Sequence, residues 1–257
     1  MGAMPSGIDH VVVAVADPDA AAAELTAAVG LAFTAGGRHE GLGTFNRIAF
    51  LGDAYLELIA VTDEAEARGW AIGRASVEAL ERGGGLATWA LVEDAIRLSV
   101  TRLQANRSHV GPVTRGSRAR PDGETVEWWT AAPPDLGPDR PPLLIKHLLV
   151  GAEWGASALA ARRGFVHPIG SSVRLDGLDL AVDDPFALAA ECAAEIGLEF
   201  TWDGVAAVAT AGPHTIRLMA RPPDDDVLTL RMGATVDAPR SVRILGVRFV
   251  LRPRMGG

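Results

Sequence analysis

The sequence predicts an α+β fold of repeated β-α-β-β-β units, with curved mixed sheets around a central cavity and helices on the outside. Three observations carry this. The stretch Gly7-Ile8-Asp9-His10-Val11-Val12-Val13-Ala14-Val15-Ala16-Asp17-Pro18 runs from a β-branched apolar strand directly into a helix start. A second copy, Leu178-Asp179-Leu180-Ala181-Val182-Asp183-Asp184-Pro185, stands 167 positions downstream. Both helices then stop at a glycine, in Gly30-Leu31-Ala32-Phe33 and Gly197-Leu198-Glu199-Phe200. Agreement in strand, cap, helix length and helix stop marks an internal duplication, with a period far longer than a solenoid's.

Taken in order, Met1-Gly2-Ala3 ahead of Met4 is read as an added leader outside the fold. Residues 8–16 form the first strand. Asp17 offers its side-chain oxygen to the first free N–H groups of a helix, and Pro18 fits the first helical position. Residues 19–29 are mostly alanine, with Leu25 and Val29 on one face. Gly30 suits the residue just past the helix end. Residues 31–33 begin a second strand, and Gly36-Gly37 and Gly41-Leu42-Gly43 mark a loop. Residues 46–51 and 54–61 read as a hairpin turning at Gly52-Asp53. The first unit is therefore residues 5–62. A connector, residues 63–85, is charged at first, helical around 74–82, and ends in Gly83-Gly84-Gly85.

A divergent second unit spans residues 86–131. It has a strand at 86–92, a helix opened by Glu93-Asp94, a turn at Arg120-Pro121-Asp122-Gly123, and a closing strand at 124–131. Residues 132–172 combine a proline-rich linker (132–142) with an extra strand, Leu143-Leu144-Ile145-Lys146-His147. The third unit is residues 173–221, closed by Thr215-Ile216-Arg217-Leu218-Met219-Ala220. Residues 222–257 supply two more strands, at 227–232 and 242–251.

A chain of 257 residues buries roughly 70% of its unfolded surface, so its core needs no disulfide or metal staple. Hydrophobic residues at 48% and charged residues at 22% describe an ordinary soluble globular protein. The formal charge of −8 argues against a nucleic-acid or anionic-membrane binder. No apolar run approaches the roughly 20 residues of a membrane span, and no signal-peptide pattern is visible. Cys192 is the only cysteine, which excludes an internal disulfide and points to a reducing, cytoplasmic setting. Its alanine-rich surroundings suit a buried filler. The partner expected is a small molecule, and a homodimer stays open.

Of the six histidines, His10, His39, His109, His147, His167 and His214, none makes a short-spaced metal motif. Any metal site must therefore draw on separate strands. His10 leads the first strand. Glu57 lies in the apolar run 55–61, where a carboxylate is costly unless paired or metal-bound. Tyr55, Glu57 and Ile59 share one face. Glu57 either serves a site or meets an arginine or the sheet edge. Trp89, Trp128 and Trp129 either line a ligand cavity or fill core. Arg115, Arg118 and Arg120 read as a solvated basic loop. His39, His109 and His214 receive no role.

Several landmarks resemble those of the bacterial glyoxalase-like proteins. They are Asp9-His10 before the Asp17-Pro18 helix start, Gly43-Thr44-Phe45-Asn46 leading into Tyr55-Leu56-Glu57-Leu58, Pro142-Leu143-Leu144-Ile145, and His167-Pro168. More broadly, a β-α-β-β-β unit with His on its first strand and Glu on its fourth resembles the vicinal-oxygen-chelate superfamily. That superfamily includes glyoxalase I, extradiol dioxygenases and bleomycin-resistance proteins. The resemblance covers most of residues 7–220. It implies paired units forming a cup around a divalent ion (Zn, Ni, Fe or Mn), with His10 and Glu57 as ligands. The second ligand pair does not carry over: Gly177 falls opposite His10 and Arg217 opposite Glu57 in the third unit, and Ala87 and the Glu127-Trp128 region stand there in the second. His147, with Glu127 and His167 as alternatives, is the expected further ligand. Glu57 and Glu127 are the expected proton-moving groups, and Tyr55, Trp128, Trp89 and Arg217 the expected substrate contacts. The implied activity is a metal-dependent lyase, isomerase or dioxygenase. The alternative is a metal-free sequestering protein of the bleomycin-resistance type, in which Arg217 pairs with Glu57 or grips an anion.

Overall fold

The computed structural model describes residues 5–120, 122–222 and 227–254. The leader at Met1-Gly2-Ala3, and Pro121 of the expected turn, lie outside them. The first unit comprises β1 (Gly7–Ala14), α1 (Pro18–Val29), β2 (Gly37–His39), β3 (Thr44–Leu51) and β4 (Ala54–Val61). Its helix begins and ends as the sequence predicts. Asp17 accepts hydrogen bonds from the N–H groups of Asp19 and Ala20, and Gly30 takes a left-handed φ of 84°. The second strand differs from expectation: residues 31–33 are not strand, and the short β2 starts only at Gly37. Gly36, with φ +63°, makes that start possible, because a Cβ there would lie 1.7 Å from the Asn46 carbonyl oxygen.

After α2 (Glu64–Ala67) and α3 (Ala71–Glu81) come β5 (Gly85–Val92), α4 (Ile96–Ala105), β6 (Thr114–Ala119), β7 (Thr125–Ala131) and β8 (Leu143–His147). Two expectations are corrected. The basic stretch holding Arg115 and Arg118 is strand β6, paired with β7, and not a loop. The strand assigned to the linker, β8, pairs with both β7 and β5, so it is the fourth strand of the second unit. The second unit thus runs to His147, and the proline-rich stretch is an internal connection. The two units close into a barrel ordered β1-β4-β3-β2-β6-β7-β8-β5. Closure matters for function, because it leaves an interior reached by alternate residues of every strand. On β1, Val12 and Ala14 belong to the interior cluster, while Val11 and Val13 join the larger core outside it.

Helices α5 (Gly151–Trp154) and α6 (Ala156–Gly164) follow, where only linker was expected. The third unit is β9 (Arg174–Val182), α7 (Pro185–Ile196), β10 (Thr201–Trp202), β11 (Ala207–Ala211) and β12 (His214–Ala220). Asp184 and Gly197 cap α7 as Asp17 and Gly30 cap α1. The register matches the two copies: Val12 pairs with Glu57, and Asp179, 167 positions on from Val12, pairs with Arg217, which follows a shorter loop. The C-terminal stretch holds three strands, not two: β13 (Leu228–Ala234), β14 (Arg240–Ile244) and β15 (Val247–Pro253). Positive φ at Leu245 (55°) and Gly246 (69°) folds the expected single strand into a tight hairpin. These strands form an open sheet, β10-β11-β12-β9-β13-β15-β14. β13 runs antiparallel to β9 as β5 does to β1, and β15 parallel to β13 as β8 does to β5. The C-terminal strands are thus a fourth unit reduced by its helix and one strand, which leaves this second sheet unclosed. The larger core joins barrel, helices and open sheet through residues such as Leu25, Leu58, Trp89, Leu178 and Cys192.

Candidate functional site

The barrel interior gathers side chains from seven of its strands. His10 (β1), His39 (β2), Asn46 (β3), Tyr55 and Glu57 (β4), Trp128 (β7) and His147 (β8) line one cavity, with Arg118, Trp70 and Trp154 among its walls. Its free volume is about 30 Å³, room for one or two water-sized groups. His10 and Glu57, far apart in sequence, thus face the same space, with His10 Nε2 3.8 Å from Glu57 Oε2. His39 Nε2 lies 3.9 Å from the other oxygen of Glu57. Among the described residues, Glu57 forms no ion pair with an arginine. Its Oε1 accepts a hydrogen bond from Asn46 Nδ2 at 2.7 Å. The orientation of that amide is set from behind, because the Gly37 N–H donates to Asn46 Oδ1 at 3.0 Å.

A bulge in β1 extends this arrangement. The β1–β5 register shifts between Ile8 and His10, so two successive side chains, Asp9 and His10, both reach the interior. Asp9 Oδ1 accepts from His10 Nδ1 at 2.7 Å and from His147 Nε2 at 3.1 Å. Burial works against the Asp9 charge, but the charge of His147 and the hydrogen bonds of His10 and His147 hold its carboxyl well below the usual range. An ionised carboxylate only accepts, so both rings carry their protons on the atoms facing Asp9. The other ring nitrogen of His10, Nε2, then faces the cavity and Glu57. That atom is buried and, among the described residues, has no hydrogen-bond partner.

His39 follows the same pattern. Its Nδ1 contacts Thr44 Oγ1 at 2.8 Å. Burial pushes its pKa down to about 4, against the attraction of Glu57, which keeps the ring neutral at ordinary pH. The Tyr55 ring stacks on His10 with centroids 4.7 Å apart, and burial raises its hydroxyl pKa well above the usual value. The Trp154 ring stacks on His147 at 3.5 Å. Aromatic surfaces thus fix two of the three imidazoles in orientation.

The donor types suit a divalent cation: the unpartnered His10 Nε2, the His39 Nε2, whose contact is a long 3.5 Å one with Asn46 Nδ2, and the Glu57 carboxylate. Asp9 and Thr44 hold the far sides of the two rings, the outer contact that metal-bound histidines usually have. Among the described residues, no three His, Cys, Asp or Glu side chains already stand closed around one point. The 3.8 and 3.9 Å separations exceed the roughly 3.4 Å between neighbouring ligands of a tetrahedral ion. The second unit supplies no donor pair of its own. His10 pairs with Ala90 and Val12 with Thr88, while Ala90 pairs with Leu143 and Val12 with Glu57. The pseudo-twofold between the units therefore sets Thr88 and Leu143 where the first unit has His10 and Glu57.

The remaining expected site residues stand elsewhere. Glu127 points out of β7, opposite its inward neighbours Val126 and Trp128, and pairs with Arg115. Trp89 is fully buried in the core outside the barrel. Arg217 lies on the open sheet, 3.4 Å from Asp203, and does not meet Glu57. At the position matching His10, a Cβ on Gly177 would sit 2.0 Å from the Thr215 carbonyl oxygen and 2.5 Å from Arg231 Nη2, so the open sheet has no room for a histidine there. His167 ties loops together, accepting from the Ala32 N–H and bonding the Phe50 carbonyl. His147 does line the cavity, but through Asp9. Sequence reasoning missed Asp9, His39, Asn46 and Arg118. Thr44 and Asn46 left a signal, two polar residues at period two on the face of the strand that continues with Ile48. His39, in a three-residue strand beside glycines, left none. Arg118, read as solvated, is buried and pairs with Glu153.

A closed barrel of two paired β-α-β-β-β units, with histidine and glutamate on the first and fourth strands facing its interior, defines the vicinal-oxygen-chelate class of proteins. The chain belongs to the glyoxalase-like domain family, whose model matches residues 8–196. A hypothetical protein from Staphylococcus aureus shares the fold over almost the whole chain. Its TM-score is 0.78 at 14% identity, covering 96% of this chain and 99% of that one. Methylmalonyl-CoA epimerase from Mycobacterium tuberculosis matches at a TM-score of 0.41 and 18% identity, over 57% of this chain and 90% of the other. No curated protein matches the sequence.

Proposed function

We propose that the chain is a glyoxalase-like small-molecule enzyme whose centre is built on His10, His39 and Glu57 and holds a divalent cation. The buried, unpartnered Nε2 of His10, facing Glu57 with its other nitrogen held by Asp9, carries this reading. Leaving such an atom without a partner costs free energy unless something fills the gap. His10 Nε2, His39 Nε2 and a Glu57 oxygen would hold the ion, which supplies Lewis-acid polarisation of a substrate oxygen when bound. His147 shares the Asp9 anchor and does not join the ligands. Glu57, already paired with Asn46, is the carboxylate placed to accept or return a proton. The small volume admits only the reacting end of a substrate. Trp70, Ile72 and Trp128 form a wall common to this centre and a cleft of about 480 Å³, where the rest of the substrate would lie.

The test is metal analysis of protein purified without chelator and after reconstitution with Zn, Mn, Fe or Ni, for the wild type and for His10→Ala, His39→Ala and Glu57→Ala. About one equivalent in the wild type, lost in the variants, is expected. A second reading, a metal-free binding protein, draws on Thr88 and Leu143 at the matching positions of the second unit. A wild type that takes up none of these metals leaves that reading ahead.

A further inference from the structure

A second cavity, of about 300 Å³, lies against α5 and α6 and shares no lining residue with the barrel centre. Phe50, Ala158, Ala161 and Phe165 give it an apolar lining, and Phe165 at its rim is 47% exposed, so it reaches solvent. Its charged lining is Arg120, Glu153 and Arg162. Arg162 is 6% exposed, and among the described residues its Nη1 has no hydrogen-bond partner. The guanidinium is sandwiched by aromatic faces, 3.8 Å from the Phe50 ring centre and 4.2 Å from that of Trp154. Its Nη2 donates to the backbone carbonyl of Glu153, a neutral acceptor.

The nearby carboxylates are already engaged. Glu153 receives Arg118 and, at 2.9 Å, Arg120. Asp122 receives Arg120, and Asp53 receives Arg163. Among the described residues, Arg162 therefore makes no ion pair, though it is a buried charge. Burial pushes its pKa down to about 10, against the weaker attraction of Glu153 and the more distant Tyr55, Asp9 and Asp53. A buried unpaired charge is strongly unfavourable unless a partner arrives.

We propose that this cavity is a binding site for a small apolar carboxylate, with the Arg162 guanidinium as the group that recognises it. One positive charge without an ion-pair partner among the described residues, beside an apolar lining, matches one negative charge on an apolar body. A dianion such as phosphate would face the engaged Glu153 and lose more hydration on burial. The volume stands at the lower end of ligand cavities, the size range of benzoate. This site does not depend on the metal reading of the barrel centre.

The experiment is calorimetric titration of the full chain with benzoate, benzamide and inorganic phosphate at matched ionic strength. Saturable benzoate binding is expected, with benzamide and phosphate at least about tenfold weaker, one decade of dissociation constant. Arg162→Met is expected to lose benzoate by a similar factor. Should that variant fail to fold, Ala158→Phe, which fills the cavity and leaves Arg162 in place, is expected to do the same. Glu57→Ala is expected to bind benzoate as the wild type does. Benzamide or phosphate binding as well as benzoate overturns the proposal. So does undiminished binding by either cavity variant, the absence of saturable benzoate binding into the millimolar range, or loss of binding in Glu57→Ala, which would place the ligand in the barrel instead.

Discussion

Asp9→Asn keeps the side chain's shape and removes its charge. In the folded chain one Asp9 oxygen accepts from His10 at 2.7 Å and from His147 at 3.1 Å, at a site 3% exposed. Hydrogen bonds to a charged acceptor are roughly twice as strong as neutral ones, so each weakens by about 1 kcal/mol. The stronger of the two acts on the ring whose Nε2 faces Glu57. The neutral amide also ceases to dictate where His10 carries its proton, so a fraction of the rings turn an N–H toward the cavity. Outer contacts of this kind are worth about 10- to 100-fold in metal affinity, or about 1.4 to 2.7 kcal/mol. The assay is competition for Zn²⁺ against a chromophoric chelator at neutral pH, with circular dichroism confirming the fold. An Asp9→Asn protein that holds Zn²⁺ as tightly as the wild type refutes the assignment of Asp9 as the group that orients His10.

Other expectations concern stability. Asp17→Ala and Asp184→Ala each remove a side chain that accepts two helix-terminal N–H groups. Each should lower stability by about 0.5–2 kcal/mol in urea unfolding, and a null effect at both positions would contradict the capping role. Leu58→Ala, at a fully buried position on β4, should cost about 2–5 kcal/mol, whereas Leu98→Ala, at 76% exposure, should stay within about 0.5 kcal/mol. Equal losses would mean that the core is placed wrongly. Burial lowers the pKa of both His167 and His214 below 6.5, and each ring serves as a neutral acceptor, His214 Nδ1 for the Ile8 N–H at 2.9 Å. A histidine with a depressed folded pKa stabilises fully above its unfolded value and loses that contribution as pH falls. The urea midpoint should therefore drop as pH falls below 6.5, and His214→Gln should drop less. A midpoint flat or rising over that range would contradict the neutral-ring assignment.

Local chemistry settled what lies close in sequence. The cap residues Asp17 and Asp184, the stop residues Gly30 and Gly197, and the apolar runs of β1 and β9 act within a few positions of themselves, so helix α1, its copy α7 and the 167-residue duplication were legible. The same reading placed His10 and Glu57 on the first and fourth strands of one unit, because a carboxylate in an apolar run stands out without any knowledge of its neighbours. Where those strands go was not legible. Only barrel closure joined β8 to β5 and made it the second unit's last strand, and only closure turned Arg118 from apparent surface into a buried ion pair. Strand pairing is a contest among distant partners of similar apolar character, decided by which arrangement leaves no edge unpaired. The bulge that admits Asp9 beside His10, the arrival of His39 and Asn46 at Glu57, and the burial of Arg162 between two aromatic rings all depend on those long-range pairings. No window of neighbouring residues carries them, so Asp9, His39 and Asn46 joined the candidate site only through tertiary structure, while His10 and Glu57 stood out in the sequence.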